Sequence, residues 1–349
     1  MRVLVITDSI GSMTSAEAGA TLAQGWPGAH VTPAGASGRG FGQAYADQLG
    51  AELITGMAAE LPAWTASSGG TVAAGLVVDS GHDHDHGSIP YEQSSSALGE
   101  VVAAALRDGD KPERLVIDLA AAELSHDGGA GLLGALEASA DVALDGGVAG
   151  LDGIGRIDLE QVRELLGAAE LIGVVPAGQA ERPLLGLRGL TSLRRGSTVD
   201  PERLLRTDAT LERLARLLGV EDRPGAGACG GAALAILALG GRLTTGPELA
   251  LEGGAHDRLE LVVSGCDVFD FHDRGGEVVA AAARLAERSL CPAIVVGGEV
   301  LIGGREMRTI GIESAYPVRA SAADAPVTAG IDAEELSAVV RRVARSWSW

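Results

Sequence analysis

A single lysine, Lys111, stands among 27 basic residues, so arginine carries nearly all of the positive charge. Loops that grip phosphate through a lysine side chain have only that one position to draw on. Positive charge is scarce altogether: 47 acidic residues against 27 basic give a formal net charge of −20. With no dense Lys/Arg cluster, that balance argues against nucleic acid or an anionic membrane as a partner. Aromatic residues make up 3% of the chain, which leaves the core to Ala, Val, Leu and Ile. The three cysteines, Cys229, Cys266 and Cys291, are odd in number and widely spaced. They form no disulfide framework and fit a reducing compartment. Long apolar runs are also missing. Val3 to Thr7 is too short for a signal-peptide core, and the weakly polar stretch Ala226 to Gly241 is too short and too rich in glycine to span a bilayer. The expected location is the cytoplasm.

What is abundant is small and apolar. The 349 residues are 46% hydrophobic and include 51 glycines, enough for a large core in two turn-rich domains. The chain is organised around His126-Asp127-Gly128-Gly129-Ala130-Gly131. This stretch follows the apolar run Leu115-Val116-Ile117 and leads into Leu132-Leu133-Gly134-Ala135-Leu136, a strand, a loop and then a helix. Glycines let backbone approach a ligand, and a helix N-terminus offers unpaired N–H groups. Asp127 would then bind a metal or orient a hydroxyl; equally, it would be the N-cap of a tight strand-to-helix turn.

The rest of the chain repeats the strand-helix alternation. Val3 to Thr7 reads as a strand buried on both faces, ending in Asp8-Ser9 at the end where open α/β sheets bind ligands. Asp8 serves there either as a ligand group or as a turn residue, and Ser15 can cap the helix that follows. Further strands are expected over Thr71 to Asp79, Leu171 to Val175, Leu259 to Val263, Ala293 to Val296 and Ile312 to Tyr316. Helices are expected over Ala97 to Arg107, from Asp200-Pro201 to Leu218, over Glu277 to Ser289, and after the capping box Asp332-x-x-Glu335. Asp267 and Asp270 are placed in the loop beyond the strand that starts at Leu259. Strands alternating with helices give an α/β class with a mainly parallel sheet. The tract His82-Asp83-His84-Asp85-His86 has the donor types for a divalent ion and also the look of an adventitious exposed loop.

In this order the motifs resemble those of the bacterial glycerate kinase family, in the manner of a divergent member. Asp8-Ser9-Ile10-Gly11-Ser12-Met13-Thr14-Ser15-Ala16 is similar to the family's Asp-Ser-Phe-Lys-Gly-Ser-Leu-Ser-Ala. His126 to Gly131 resembles Asn-Asp-Gly-Gly-Ala-Gly, and Pro224 to Gly231 resembles Pro-Gly-Ala-Gly-Ala-x-Gly-Gly. Pro183-Leu184-Leu185-Gly186 and Arg188-Gly189 also stand in the family order. The resemblance implies a two-domain α/β protein: a discontinuous Rossmann-like or flavodoxin-like domain (1–50, 100–140 and 255–349) with an inserted α/β domain (51–99 and 141–254). It implies ATP and Mg²⁺ as cofactors, a small hydroxy acid such as D-glycerate as substrate, and phosphoryl transfer as the activity. The catalytic positions it carries over are Asp8, Asp127 and Asp270. The cofactor-binding positions are Ser9, Gly128, Gly129, Arg188, Arg195, Gly225, Gly227, Gly230 and Gly231.

The chain also departs from the pattern. Gly11 replaces the family lysine, Ser37-Gly38-Arg39-Gly40 lacks two family carboxylates, and Gly178 to Arg182 lacks another. Ala121-Ala122-Glu123 replaces Gly-Gly-Ser and puts an anion where phosphate would lie. The alternative to a kinase is therefore an inactive protein of the same fold with a ligand-binding or regulatory role.

Overall fold

The computed structural model describes residues 1–38, 40–77, 89–107, 111–194, 200–220, 223–254, 258–319 and 330–348. Within them the chain divides into two compact units: 1–36, 43–50 and 246–349, and 37–42 with 51–245.

The first unit is built on a five-stranded, all-parallel sheet. In spatial order its strands are His30–Pro33, Val3–Thr7, Leu261–Phe269, Ala293–Val300 and Ser314–Pro317. Numbered along the chain of this unit, that is 2-1-3-4-5, the doubly wound flavodoxin-like order, which reverses direction between Val3–Thr7 and Leu261–Phe269. Right-handed crossovers on either side of a reversal must use opposite faces, and two separate cores result. Val3, Val5, Val263 and Val296 pack with the helices Ser15–Ala23 and Ala333–Ser346. Leu4, Ile6, Val262 and Val295 pack with the helix Gly276–Ser289. The period of two in the strand and the opposed helices together explain why every position from Val3 to Thr7 is buried and why Val3 to Ile6 are all apolar.

The second unit holds a six-stranded mixed sheet in the order Arg242–Thr244, Glu170–Val174, Arg114–Asp118, Thr71–Leu76, Leu61–Ser68 and Ile54–Ala58. The first four are parallel and the last two add an antiparallel meander. This order never reverses, so the crossovers share one face. Leu98, Val101 and Val102 of the helix Ser96–Arg107, Leu132 and Leu133 of the helix Ala130–Ala135, and Ala232 and Ile236 of the helix Ala232–Ala238 accordingly join one cluster with Leu115, Ile117 and Leu171.

The α/β class and the flavodoxin-like first unit agree with the sequence reading, but the boundaries do not. Residues 100–140, assigned there to the first unit, belong to the second. Arg114–Asp118 pairs in register with Thr71–Leu76 and Glu170–Val174, and the helix before it buries its apolar stripe on the same sheet. The meander Ile54–Ala58 and Leu61–Ser68 lacks the clean apolar alternation of a half-buried strand, so its own sequence carries no strand signal. The expected strand from Thr71 ends at Leu76, and the tract His82 to His86 lies outside the described residues. Among the described residues, no helix is long and apolar enough to cross a membrane.

Candidate active site

The reversal point of the first unit collects carboxylates. The Asp8 N–H donates to the Gly265 carbonyl at 3.2 Å, which sets Asp8 beside the neighbouring strand just past the C-terminal end of Val3–Thr7. Asp267 lies inside the strand Leu261–Phe269, not in the loop beyond it, because the pairing with Ala293–Val300 continues through Val268 and Phe269. Its Oδ1 accepts the Gly11 N–H at 2.6 Å and so fixes the loop after Asp8. Asp270 follows the strand, and its Oδ1 accepts the Asp273 N–H at 2.8 Å. Ser9, exposed, donates its N–H to Asp8 Oδ1 at 2.7 Å. Cys266 is buried among these acids; burial and then the charges of Asp8, Asp267 and Asp270 push its thiol far above its ordinary pKa. It stays protonated and is not a nucleophile.

Asp127 belongs to the second unit and is fully buried. Its Oδ2 accepts Ser95 N–H at 2.8 Å, Ser95 Oγ–H at 2.9 Å and Gly131 N–H at 3.1 Å. Its Oδ1 accepts Gly129 N–H at 3.0 Å and Ser125 Oγ–H at 3.3 Å. These are the bonds of a capping carboxylate: they satisfy the start of the helix Ala130–Ala135 and tie it to the segment that opens the helix Ser96–Arg107.

The two glycine-rich loops pack on each other. A Cβ on Gly231 would sit 2.9 Å from the Gly128 Cα, and one on Gly230 would run into the carbonyl oxygens of Ala122 and Ser125. Gly128 faces Leu214 and Gly129 faces Ala235; Gly225 and Gly227 face the carbonyls of Ala180 and Pro183. All six glycines named as phosphate-binding candidates therefore meet the protein's own atoms. Arg188 is exposed in a turn after Pro183-Leu184-Leu185, and Arg195 lies outside the described residues.

A charged cluster that the sequence reading did not assemble lies at the C-terminal ends of the parallel strands Arg114–Asp118 and Glu170–Val174. Glu123, in the short helix Ala120–Leu124, places Oε1 at 3.2 Å from Arg182 and 3.0 Å from Arg194. Its Oε2 accepts the Gly230 N–H at 3.2 Å. Arg194 is 6% exposed; it also donates to the carbonyls of Glu123 and Ser125 and contacts His126 Nδ1 at 3.2 Å. Guanidinium groups only donate, so Nδ1 accepts and the proton sits on Nε2, which donates to Thr191 Oγ1 at 3.2 Å. Burial and then the Arg194 charge lower the His126 pKa to about 3, so the ring is neutral. Glu123 and Arg182 are 59 residues apart, and no local pattern joins them.

Asp118, at the end of its strand, accepts from Ser37 Oγ at 2.6 Å and from the Gly38 N–H at 2.8 Å. Burial raises its pKa against those bonds.

Among the described residues no three His, Cys, Asp or Glu side chains form a metal cage. Mg²⁺ does not need one: it binds through one or two carboxylates and completes its shell with water and substrate phosphates. Asp8 and Asp270, which follow two adjacent strands of the first unit, are the donor type that fits it.

The sequence profile described as glycerate kinase family matches residues 3–348. The uncharacterized proteins Mb2228c of Mycobacterium bovis and MT2261 of Mycobacterium tuberculosis are each 30% identical over 99% of this chain and 91% of their own length. The glycerate 2-kinase of Escherichia coli K12 is 28% identical over 66% of this chain and 64% of that protein. A solved structure from Salmonella typhimurium LT2, provisionally described as glycerate kinase 2, has the same fold, with a TM-score of 0.72, 23% identity, and coverage of 99% and 96% of the two chains.

Proposed function

The chain belongs to the glycerate kinase family, and on that premise we propose that it transfers the γ-phosphoryl group of ATP to a hydroxyl of D-glycerate or a related small hydroxy acid. The observation that carries this reading is that Asp8, Asp267 and Asp270 stand on or just after the two adjacent strands Val3–Thr7 and Leu261–Phe269, at the strand-order reversal of a 2-1-3-4-5 sheet, where such folds bind their ligands. Asp8 and Asp270 would hold Mg²⁺ together with the nucleotide. When bound, that ion neutralises phosphate charge, which is the main demand of phosphoryl transfer. Asp267 holds the Gly11 N–H and so shapes the loop that carries Ser9. Ser9, exposed beside Asp8, offers a hydroxyl to the substrate or the nucleotide. Asp127 fixes the glycine loop and the helix start that it holds within the second unit.

A second reading, binding without transfer, is favoured by one specific observation: Glu123 neutralises part of the Arg182–Arg194 charge that a phosphate would otherwise meet. A coupled ADP-release assay with ATP, Mg²⁺ and D-glycerate separates the two, run beside an Asp8→Asn, Asp270→Asn double variant. Turnover in the native chain that falls at least about 100-fold in the variant supports transfer, in line with the loss of groups that stabilise transition-state charge. Turnover no higher than in the variant rejects it and leaves the binding role.

A further inference from the structure

Glu123 is held the way proteins hold a bound oxyanion. Two guanidinium groups and one backbone N–H converge on its carboxylate, with contacts of 3.0 and 3.2 Å to the arginines and 3.2 Å to the Gly230 N–H. The donors are pre-placed by the fold. Arg194 is locked by the Ser125 and Glu123 carbonyls and by neutral His126. The Gly230 N–H is locked because Gly230 is wedged between the carbonyls of Ala122 and Ser125. Two guanidinium groups face this one carboxylate, in a chain that is otherwise strongly acidic. The cluster lies past the C-terminal ends of two adjacent parallel strands, the usual ligand-binding end of such a sheet. It is not sealed: the side chains of Glu123 and Arg182 are 13% and 20% exposed.

We propose that Arg182, Arg194 and the Gly230 N–H form a slot for a tetrahedral oxyanion of the phosphate class, and that Glu123 is its built-in occupant. The carboxylate fills the slot in the resting protein, and a phosphate gains access only by displacing it. Glu123 thus sets the affinity of this slot, whether or not the protein transfers phosphoryl groups.

The test is phosphate binding by calorimetry and by thermal shift, at constant ionic strength with chloride as the control anion. Glu123→Ser, which removes the competing carboxylate and opens space, should bind inorganic phosphate at least tenfold more tightly than the native chain. Its melting temperature should rise with phosphate and not with chloride. Adding Arg182→Gln should abolish that gain. If Glu123→Ser does not fold alone, Glu123→Gln keeps the volume without the charge, and phosphate should stabilise it more than it stabilises the native chain. Metal-free ATP, run in parallel, identifies the source: tighter binding than inorganic phosphate assigns the slot to nucleotide phosphates, weaker binding to free phosphate. Two outcomes would overturn the proposal: equal phosphate responses in the native chain and both variants, or a gain that survives Arg182→Gln. Either would make Glu123 an ordinary structural ion pair.

Discussion

Asp127 is the residue whose surroundings decide most about its role. Its carboxylate receives the N–H groups of Ser95, Gly129 and Gly131 in a site with no solvent exposure. Replacing it with Ala strands three buried donors, each costing about 1–3 kcal/mol, so Asp127→Ala should lose at least about 3 kcal/mol of stability. Urea unfolding measures this directly. An unchanged midpoint together with lost turnover would instead place Asp127 at the substrate. The two roles look alike in sequence, because Asp-Gly-Gly before a helix is written the same way for a cap and for a ligand loop. Burial and the Ser94-Ser95 partner segment distinguish them, and both depend on residues about thirty positions away.

Elements that are fixed by neighbouring residues were legible; elements fixed by pairing were not. The helix Pro201–Leu218 runs from its Asp200 cap to Gly219, as its cap, its N1 proline and its C-terminal glycine require. The capping box of the helix Ala333–Ser346 is also as read: Asp332 accepts the N–H groups of Glu334 and Glu335, both at 3.0 Å. Asp332→Ala should therefore cost about 1 kcal/mol, measured by denaturant titration. Asp332→Ser, which restores an acceptor, should recover most of it, and an equal loss in both variants would refute the capping role. In the first helix the cap is Thr14 rather than Ser15, with Glu17 completing the box. Two adjacent hydroxyl residues are equivalent in sequence, and only the chain's entry angle chooses between them. The meander Ile54–Ala58 and Leu61–Ser68 exists because each strand has a partner, not because of its own pattern.

Across the whole molecule, acid pH acts on groups that pull in opposite directions. Burial raises the Glu123 carboxyl, but Arg194 and Arg182 outweigh it and hold its pKa below the ordinary 4.5. Its contribution to stability is complete above the unfolded value and is lost as pH falls through the lower folded one. Asp118 is raised by burial, so its contribution is complete below 3.8 and is lost as pH climbs through its higher folded value. Removing one partner of a buried ion pair costs about 3–5 kcal/mol. Glu123→Gln should accordingly lower the urea midpoint at neutral pH, and its gap from the native chain should narrow as pH falls below 4.5. A gap of constant size across that range would show that the carboxylate's charge does not contribute. The reversed strand order of the first unit and the unbroken order of the second explain why one has two cores and the other has its crossovers on one face.

By itself the sequence determined the α/β class, the buried parallel strands, the caps of the helices Pro201–Leu218 and Ala333–Ser346, and the family, because apolar period, capping chemistry and motif order are all local or sequential properties. Tertiary structure alone decided three things. It gave 100–140 to the second unit, since a strand's membership depends on which neighbours it bonds. It packed Gly231 of one motif against Gly128 of the other, and the remaining motif glycines against other parts of the same unit, since close approach depends on what arrives from elsewhere in the chain. It also brought Glu123 to Arg182 and Arg194, since electrostatic partners are chosen by distance in space, and no spacing along the chain encodes that distance.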